Sequence, residues 1–330
     1  MIYQQFKTVA YKFKYETAIE TESERITYGE LLQRSATLYN SFFQLGIAGK
    51  TVAVFTNNCP ETVYAVLAAS RAGARCVICR VSGPLKKIKE TLSVYRPSVA
   101  IVHACHLGRI SPALAGCGCH CAVTVGRAQD DSIPSLYTLA DLMEINDYNT
   151  VAPQEGEGSV VLANDGVHWD VTERIAALPA REGVFLSLPL YCGAGFDALW
   201  QTLMTGHKCV ICDIPTKGML RRKKVSLCLV YEGEDSFGID AEYYSNPDTY
   251  CINREFMYKA ECEDYLSEST GYPVDCTFDG KRLRITLTLN SDSDIEAVKD
   301  SPLSHALSGY CADTFYGMIC RKSVVFKKNI

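Results

Sequence analysis

The stretch from residue 51 to residue 80, TVAVFTNNCPETVYAVLAASRAGARCVICR, constrains the fold more than any other part of the sequence. It opens with an apolar, β-branched run, Thr51–Phe55, that has the length of a β-strand. Asn57 and Asn58 follow, and either side chain could cap a helix. A second apolar run, Cys76–Val81, predicts another strand. Two strands joined by a helix through short connections are typical of a parallel, right-handed unit.

The helix between these two runs is predicted by its first turn, its apolar spacing and its end. Pro60 suits the first turn because its missing N–H is not needed there, and Glu61 faces the positive end of the helix dipole. Val63 and Leu67 lie one helical turn apart. Gly73 supplies the left-handed residue that commonly follows a helix.

The composition is that of an ordinary globular chain and argues against two function classes. The 330 residues are 47% hydrophobic and 22% charged, which is enough for one large domain or two ordinary ones. The net charge of −5 argues against a nucleic-acid binder, and the basic run Arg221–Lys224 is predicted to be a solvated loop. No apolar stretch approaches the ~20 residues of a membrane span. Residues 1–16 contain no apolar signal core, so we expect a cytoplasmic protein.

The 16 cysteines are predicted to be reduced thiols that act as small buried hydrophobic side chains. The tetrapeptide Cys-Val-Ile-Cys occurs twice, at 76–79 and 209–212, inside predicted strands where the two thiols face opposite sides. Residues 103–121 contain His103, Cys105 and further His and Cys residues in a pattern that resembles a metal-ligand cluster. Because Cys-x-Cys-x-Cys is not a standard zinc arrangement, we predict structural thiols and no metal, with zinc as the alternative.

Alternating strands and helices continue through the first two thirds of the chain. Thr27 and Glu30 form a predicted capping box at the start of a helix. Further strands are predicted at Ala18–Glu20, Arg25–Thr27, Val99–Val102, Ala122–Val125, Ser159–Ala163, Lys208–Cys212 and Val225–Tyr231, with an apolar run at Gly183–Leu190. Further helices are predicted at Tyr28–Leu45, Leu85–Tyr95, Leu136–Glu144, Thr172–Leu178 and Phe196–Thr205.

The character of the sequence changes after about residue 232. An acidic, tyrosine-rich segment is followed by a hairpin signal, in which the turn Asp279-Gly280 separates Val274–Phe278 from Leu283–Leu289. Ser291 or Asp292 is predicted to cap a further helix. We therefore predict an α/β domain of mostly parallel sheets flanked by helices over residues 1–231, and a divergent α+β subdomain over residues 232–330.

Three stretches together resemble the N-terminal domain of the adenylate-forming superfamily, which includes acyl-CoA synthetases, luciferases and nonribosomal adenylation domains. They are ITYGELLQRSATLYNSFFQLGI (26–47), VAVFTNNCPETVYAVLAASRAGARCVICRVSGP (52–84) and LSLPLYCGAGFDALWQTLMTGHKCVICD (186–213). Their order and approximate spacing agree with the family's "T-Y-x-E-L", "N-x-x-E…A-G-A" and "P-L-F-H-x-x-G" segments. The resemblance covers about residues 15–231 and implies the same fold.

The resemblance also implies a chemistry, since such enzymes make an acyl-AMP from a carboxylate and ATP and pass the acyl group to a thiol. ATP or AMP with magnesium is implied as cofactor by this resemblance alone. The family's phosphate loop, rich in Gly, Ser and Thr and ending in Pro-Lys-Gly, should lie at 159–168, where this chain has SVVLANDGVH. Asp165 brings negative charge to the position of the phosphates. Only Gly166 and Val167 look like the end of that motif.

Other family positions are also replaced. The aromatic–His pair of the third segment is Tyr191-Cys192 here. Tyr316-Gly317-Met318 is a weak echo of the adenine motif, with Ile319 and Cys320 in place of Thr and the magnesium-binding Glu. Twelve residues follow Met318, so we expect neither the ribose-binding segment nor the mobile C-terminal domain.

Ligands of parallel sheets bind beyond the carboxyl ends of the strands, which selects a set of candidate site residues. The set is Asn164, Asp165, Gly166, His168, Tyr191, Cys192, Gly193 and Gly195. At three places a plainer role is favoured. Asp165-Gly166 is most simply a turn, and His168 is more often a surface or capping imidazole than a ligand contact. Cys192 is predicted to line the pocket, with a nucleophile as the alternative.

Three functions are compatible with the sequence. The first is a degenerate family member that does not activate carboxylates with ATP alone and binds a small carboxylate or acyl ligand, or a carrier-protein or synthetase partner. The second is a minimal ligase that makes acyl-AMP or acyl-CoA with an unusual phosphate site. The third is a structural homo-oligomer without a ligand.

Overall fold

We analysed a computed structural model of the chain. It describes residues 2–56, 58–82, 85–146, 156, 158–163, 167–212, 214–252, 255–278, 282–291, 294 and 321–328. The chain forms two compact units. The first comprises Met1–Val81, Leu85–Val230 and Glu234–Tyr244, and the second comprises Ser82–Pro84, Tyr231–Gly233 and Ser245–Ile330.

Helices and strands alternate through the first unit. The helices of the chain are α1 (Ile2–Lys12), α2 (Tyr28–Gln44), α3 (Pro60–Arg71), α4 (Leu85–Tyr95), α5 (Leu107–Gly116), α6 (Leu139–Asn146), α7 (Thr172–Ala176), α8 (Gly193–Met204), α9 (Lys217–Arg222) and α10 (Lys259–Thr270), with a short 3-10 helix at Ala104–His106.

The strands are short, as expected for a chain of α/β type. They are β1 (Thr17–Glu20), β2 (Arg25–Thr27), β3 (Thr51–Phe55), β4 (Arg75–Ile78), β5 (Val99–His103), β6 (Cys121–Val125), β7 (Ser135–Thr138), β8 (Ser159–Leu162), β9 (Gly183–Leu186), β10 (Lys208–Val210), β11 (Val225–Tyr231), β12 (Ala241–Tyr244), β13 (Thr249–Ile252), β14 (Glu255–Tyr258), β15 (Val274–Phe278), β16 (Arg282–Leu289) and β17 (Arg321–Lys328).

The first sheet, here called the β3 sheet, has the strand order β7-β6-β5-β3-β4-β8. Each described pair is parallel, with β3 between β5 and β4. The predicted strand–helix–strand unit over residues 51–80 is therefore confirmed. Phe55, Val77 and Val102 lie on one face and pack with Ile110 and Leu114 of α5. Alternation along a strand sends Val52 and the other intervening residues to the opposite face.

The second sheet, here called the β9 sheet, has the order β12-β11-β9-β10-β1-β2. Strands β11, β9, β10 and β1 are mutually parallel, and β2 is antiparallel to β1. The amino ends of the parallel strands thus share one edge, at Thr17, Gly183, Lys208 and Val225. Their carboxyl ends share the other edge. We call these the amino edge and the carboxyl edge of the β9 sheet. The predicted α/β class, with parallel sheets flanked by helices, is confirmed.

Helix starts show both a confirmed and a wrong prediction. Thr27 and Glu30 form the predicted capping box, in which Glu30 N donates to Thr27 Oγ1 at 3.2 Å and Thr27 N donates to Glu30 Oε2 at 2.7 Å. The prediction that Asn57 or Asn58 caps α3 is wrong for Asn58, because the N-cap is Cys59, which makes no side-chain capping hydrogen bond. Asn57 lies outside the described residues.

Two short elements differ from the prediction. The helix predicted at Leu136–Glu144 begins at Leu139, because Ser135–Thr138 pairs with β6 as an edge strand. The basic run Arg221–Lys224 is not simply a solvated loop. Arg221 and Arg222 end α9, and the Lys223 side chain is only 12% exposed because its ammonium binds the buried Glu20 carboxylate.

Helix α1 was not predicted from the sequence. Its Tyr3, Phe6 and Ala10 side chains are buried, and their spacing places them along one helical face. The Phe6 ring stacks on Tyr28 with centroids 5.8 Å apart. This spacing is a helical signal that is present in the sequence and that sequence reasoning missed.

The second unit has its own core. The strand pairing of the predicted hairpin is confirmed, since β15 and β16 are antiparallel with Cys276 opposite Ile285, while its predicted turn, Asp279-Gly280, lies outside the described residues. Strand β17 adds to β16 in parallel, and β13 and β14 form a separate antiparallel pair. The core of this unit includes Cys262 and Leu266 of α10 together with Cys276, Ile285 and Leu287. The side chain of Ser291 accepts a hydrogen bond from Asp294 N at 3.2 Å, as expected of a cap, while the rest of the predicted helix and Asp292 lie outside the described residues.

Candidate functional site

The loop after β9 brings the carboxyl ends of the two sheets together. Asn58, which follows β3, donates from Nδ2 to the Leu188 carbonyl oxygen at 2.7 Å. The Leu190 N–H in turn donates to Asn58 Oδ1 at 2.9 Å. One amide side chain therefore satisfies a carbonyl and an N–H of the same loop, which fixes that loop relative to β3. Sequence reasoning missed this contact because it assigned Asn58 to a local helix cap.

Cys192 ends this loop and caps α8. Its side chain is fully buried. Cys192 Sγ donates to the Pro189 carbonyl oxygen at 3.0 Å, and Gly195 N donates to Cys192 Sγ at 3.3 Å. The thiol thus occupies the place that a Ser or Asn side chain takes at many helix N-termini. Both of these contacts are with backbone atoms of the loop and helix, which is a structural arrangement.

Gly195 and Tyr191 are also accounted for by packing. A Cβ built on Gly195 would lie 2.1 Å from the Pro189 carbonyl oxygen, so only glycine fits at this position. Tyr191 is 3% exposed, and Gly193 and Cys192 are buried beside it. The predicted residues from 191 to 195 therefore lie together, behind the surface of the carboxyl edge.

His168 lies at the surface and pairs with the helix that Cys192 caps. His168 Nδ1 is 2.8 Å from Asp197 Oδ2, and the imidazole is 83% exposed. The same carboxylate oxygen accepts a hydrogen bond from Trp169 N at 3.1 Å. Asp197 lies two residues after Gly195, so the contact brings His168 next to the predicted residues of α8.

Gln201, one turn further along α8, holds the same segment. Gln201 Oε1 accepts from Val171 N at 2.8 Å, and Gln201 Nε2 donates to Trp169 O at 3.0 Å. Asp197 and Gln201 were missed by sequence reasoning. Their signal is visible in GAGFDALWQTLM, where two polar side chains four residues apart stand on one face of an otherwise apolar helix.

A second carboxylate lies at the carboxyl edge of the β9 sheet. Ser187, directly after β9, donates its hydroxyl to Glu234 Oε2 in a short hydrogen bond. Ser187 is buried, and Glu234 follows β11. The described part of this edge therefore carries Asp197 and Glu234. Asn164, Asp165 and Gly166, the remaining predicted site residues, lie outside the described residues.

The His and Cys residues between 103 and 121 do not form a metal centre within the described chain. His103 Nδ1 lies 3.0 Å from Cys105 Sγ. No group of three or more His, Cys, Asp or Glu side chains with the geometry to hold a metal ion occurs among the described residues. Burial raises the pKa of Cys119 to about 12, so its thiol is protonated at neutral pH.

The four cysteines of the two Cys-Val-Ile-Cys tetrapeptides are buried free thiols. Cys76 and Cys209 lie within strands, while Cys79 and Cys212 follow the strand ends. Burial raises the pKa of both Cys76 and Cys209 to about 12. As predicted from the sequence, they are small core side chains.

Comparison with known proteins identifies the family of the N-terminal part. Residues 6–156 match the family model described as AMP-binding enzyme. No curated protein sequence matches the chain significantly. In the described part of the chain, no helix is both long enough and apolar enough to cross a membrane.

Solved structures show the same fold over most of the chain. A putative long-chain-fatty-acid CoA ligase from Rhodopseudomonas palustris is 18% identical, with a TM-score of 0.58, over 70% of this chain and 63% of that one. A luciferase-like enzyme from the nonluminescent mealworm Zophobas morio is 16% identical, with a TM-score of 0.59, over 70% of this chain and 59% of that one.

A third similar structure was solved with nucleotide. It is the O-succinylbenzoate coenzyme A synthetase from Bacillus subtilis in complex with ATP and magnesium ion, 14% identical, with a TM-score of 0.52, over 69% of this chain and 63% of that one. The chain spans less than two thirds of the length of each of these three proteins.

Proposed function

Because residues 6–156 of this chain belong to the AMP-binding enzyme family, we propose that the protein is a degenerate adenylate-forming protein that does not activate carboxylates with ATP by itself. Its carboxyl edge instead binds a small carboxylate or acyl ligand. The single observation that carries this proposal is that the Cys192 thiol is buried and bonded to the backbone. The family resemblance implies a histidine at this position.

A group that acts on a bound substrate must reach it. Cys192 is fully buried, and its sulfur is held between the Pro189 carbonyl oxygen and the Gly195 N–H. A thiol in these contacts stabilises the start of α8 and does not replace an imidazole that would orient a carboxylate or a phosphate. We therefore assign Cys192 a structural role at the start of α8.

The charges at the carboxyl edge support the same proposal. The described side chains there include the carboxylates of Asp197 and Glu234, and Asp197 pairs with His168. The sequence adds Asp165 and has no lysine between residues 159 and 168. A triphosphate carries several negative charges, and nearby carboxylates repel it unless cations compensate them. A ligand with one negative charge meets less repulsion at this edge.

The scaffold of the edge supports ligand or partner binding. Asn58 holds the loop from Leu188 to Leu190 in place, and Gly195 packs against Pro189. Sites supported by rigid packing are pre-organised for binding. A carrier protein or an active synthetase that presents an acyl group is the partner class we propose for such an edge.

Two measurements test the proposal on the full chain. The first is pyrophosphate exchange into ATP with magnesium and a panel of aliphatic and aromatic acids, for which we expect no acid-dependent exchange. The second is calorimetry with the same acids, for which we expect saturable binding by at least one acid in the absence of ATP. Acid-dependent exchange contradicts the loss of activation, and the absence of binding by any acid contradicts the ligand site.

We also propose that the protein is located in the cytoplasm. Its described cysteines are free thiols, and many of them are buried. Structural thiols that persist in this form are typical of a reducing compartment. Titration of the denatured protein, purified without reductant, should find all 16 cysteines reduced, whereas cell fractionation that recovers the protein outside the cytoplasm would overturn the assignment.

A further inference from the structure

A cavity lies at the amino edge of the β9 sheet, opposite the carboxyl edge. The cavity has a volume of about 420 Å³ and is formed where β1 and β10 begin, at Thr17 and Lys208. Volumes of this order hold small organic molecules. Phe13, Leu178 and Ala180 provide an apolar part of its wall.

One lining residue, Lys208, belongs to a buried cluster with more cations than anions. The Glu20 carboxylate is 2% exposed and contacts Lys208 Nζ at 2.7 Å, Arg25 Nε at 2.8 Å and Lys223 Nζ at 3.3 Å. Arg25 is 69% exposed, so the poorly exposed part of the cluster is two lysines on one carboxylate, an excess of one positive charge. The Lys208 and Lys223 side chains are only 11% and 12% exposed, so water screens this excess poorly.

Lys208 is the residue of this cluster that also lines the cavity. Two of its three ammonium donors are used by contacts within the described chain, to Glu20 Oε2 at 2.7 Å and to the Lys223 carbonyl oxygen at 2.5 Å. The described chain gives the third donor no partner. His207 lies beside it, 7% exposed, with Nδ1 3.2 Å from Thr205 Oγ1 and Nε2 3.4 Å from the Leu178 carbonyl oxygen.

Arg181 and Glu16 form the cavity rim. Arg181 Nη2 lies 3.0 Å from Glu16 Oε1, and the two side chains are 77% and 36% exposed. An exposed ion pair of this kind is weak, so another anion can take the place of Glu16. The guanidinium binds carboxylates and phosphates in a two-pronged geometry.

We propose that this cavity binds a small molecule with one anionic group, a carboxylate or a phosphate monoester, on an apolar body. The anionic group binds Arg181 and Lys208 at the rim and wall, and the apolar body packs against Phe13 and Leu178. The proposal does not depend on the function proposed for the carboxyl edge, because the two sites lie at opposite ends of the strands.

The test uses the full chain and two probes that differ in head group, benzoate and phenyl phosphate, with benzyl alcohol as the uncharged control. We expect saturable binding by one or both anions in calorimetry, weakening as salt is added, and no saturable binding of benzyl alcohol. The tighter of the two anions identifies the head group. If neither anion binds saturably up to about 10 mM, which corresponds to a negligible affinity, the proposal is overturned.

Two variants at the rim distinguish this cavity from any other acid site. Arg181→Asn should weaken anion binding at least about fivefold, since a charge-assisted contact is lost, and asparagine tolerates the positive φ of 72° at this position. Glu16→Gln should strengthen binding about two- to fivefold, because it removes the competing carboxylate. Both side chains are partly exposed, so both variants should fold. If the affinity for the anion is the same in both variants as in the wild type, the anion binds elsewhere and the proposal is overturned. That result would not argue against an acid site at the carboxyl edge.

Discussion

The two edges of the β9 sheet are held together by different forces. At the carboxyl edge, the loop after β9 is fixed by the Asn58 amide, by the Cys192 thiol and by the close approach of Gly195 to Pro189. At the amino edge, the ammonium groups of Lys208 and Lys223 are held by the buried carboxylate of Glu20, the last residue of β1. The first arrangement uses mainly neutral hydrogen bonds and packing, with one contact from Ser187 to the Glu234 carboxylate, and the second uses charge.

The difference bears on the proposal that the chain keeps a scaffold without the chemistry that the resemblance implies. Loops at the carboxyl edge of parallel sheets usually supply ligand groups. Here the described groups in that loop mainly satisfy each other and the backbone. The opposite edge holds Lys208 and Lys223, which are poorly exposed and share the Glu20 carboxylate. Changes at the two edges should therefore have effects of different size and different dependence on pH.

The largest effect is expected at Glu20. Glu20→Ala leaves two poorly exposed lysines without their carboxylate, which should lower the free energy of unfolding by about 3–5 kcal/mol in a denaturation experiment. Glu24→Ala is the matched control, because Glu24 pairs with Arg34 at 3.1 Å but is 36% exposed. It should cost less than about 1 kcal/mol. Equal losses in the two variants would contradict a special role of charge at the amino edge.

The same carboxylate predicts a dependence on pH. Burial raises the pKa of Glu20, but the hydrogen bonds from Lys208, Arg25 and Lys223 outweigh it, so the pKa lies below its ordinary value of 4.5. The unfolded chain then takes up the proton first as pH falls. Stability from Glu20 should be complete well above pH 4.5 and be lost as pH falls through the folded-state pKa. In Glu20→Gln this part of the acid dependence should disappear, and an unchanged pH profile would argue against the assignment.

A smaller effect is expected at Asn58, on the carboxyl edge. Asn58→Ala removes the partners of the Leu188 carbonyl and the Leu190 N–H, which should cost about 1–3 kcal/mol in unfolding free energy. Asn58→Asp keeps an acceptor for Leu190 N but places a carboxylate oxygen against the Leu188 carbonyl oxygen, so it should be at least as damaging. If Asn58→Asp proves neutral, the amide does not hold this loop as described.

Cys192 should have a still smaller effect on stability. Cys192→Ala removes the side-chain cap of α8 and should cost about 1 kcal/mol, whereas Cys192→Ser keeps a capping oxygen and should cost less. In the native protein, iodoacetamide should modify the exposed Cys105 before the buried Cys192. Preferential labelling of Cys192, measured by mass spectrometry, would indicate an accessible nucleophile and not a cap.

The smallest effect is expected at His168. Its imidazole is 83% exposed, so His168→Gln should change the unfolding free energy by less than about 0.5 kcal/mol. Asp197→Asn should cost more, because Asp197 Oδ2 also accepts from Trp169 N. A larger loss from His168→Gln than from Asp197→Asn in the same thermal denaturation series would reverse the roles given to the two side chains.

Much of the α/β fold was readable from the sequence because its local signals agree. The run Thr51–Phe55, the first turn at Pro60 and the capping box of Thr27 each predict an element that the structure contains. The elements that the sequence did not predict are buried by contacts with residues elsewhere in the chain. Helix α1 packs its Phe6 on Tyr28, and β7 becomes a strand through its pairing with β6.

The candidate site was only partly predictable for the same reason. Cys192 and Gly195 were found because they sit in a motif, but their roles depend on contacts with Pro189. Asn58 joins residues 130 and 132 positions away, which no local pattern can show. Glu20 and Lys208 are 188 residues apart and meet only because β1 pairs with β10.

The central claim is that this chain keeps the family's scaffold without its ATP-dependent activation of carboxylates. The most direct measurement is exchange of labelled pyrophosphate into ATP by the full chain, with magnesium and a panel of acids, beside the variant Asp165→Ala. We predict no acid-dependent exchange by either protein. Saturable, acid-dependent exchange by the wild-type chain that is lost in Asp165→Ala would contradict the claim and establish a ligase with an unusual phosphate site.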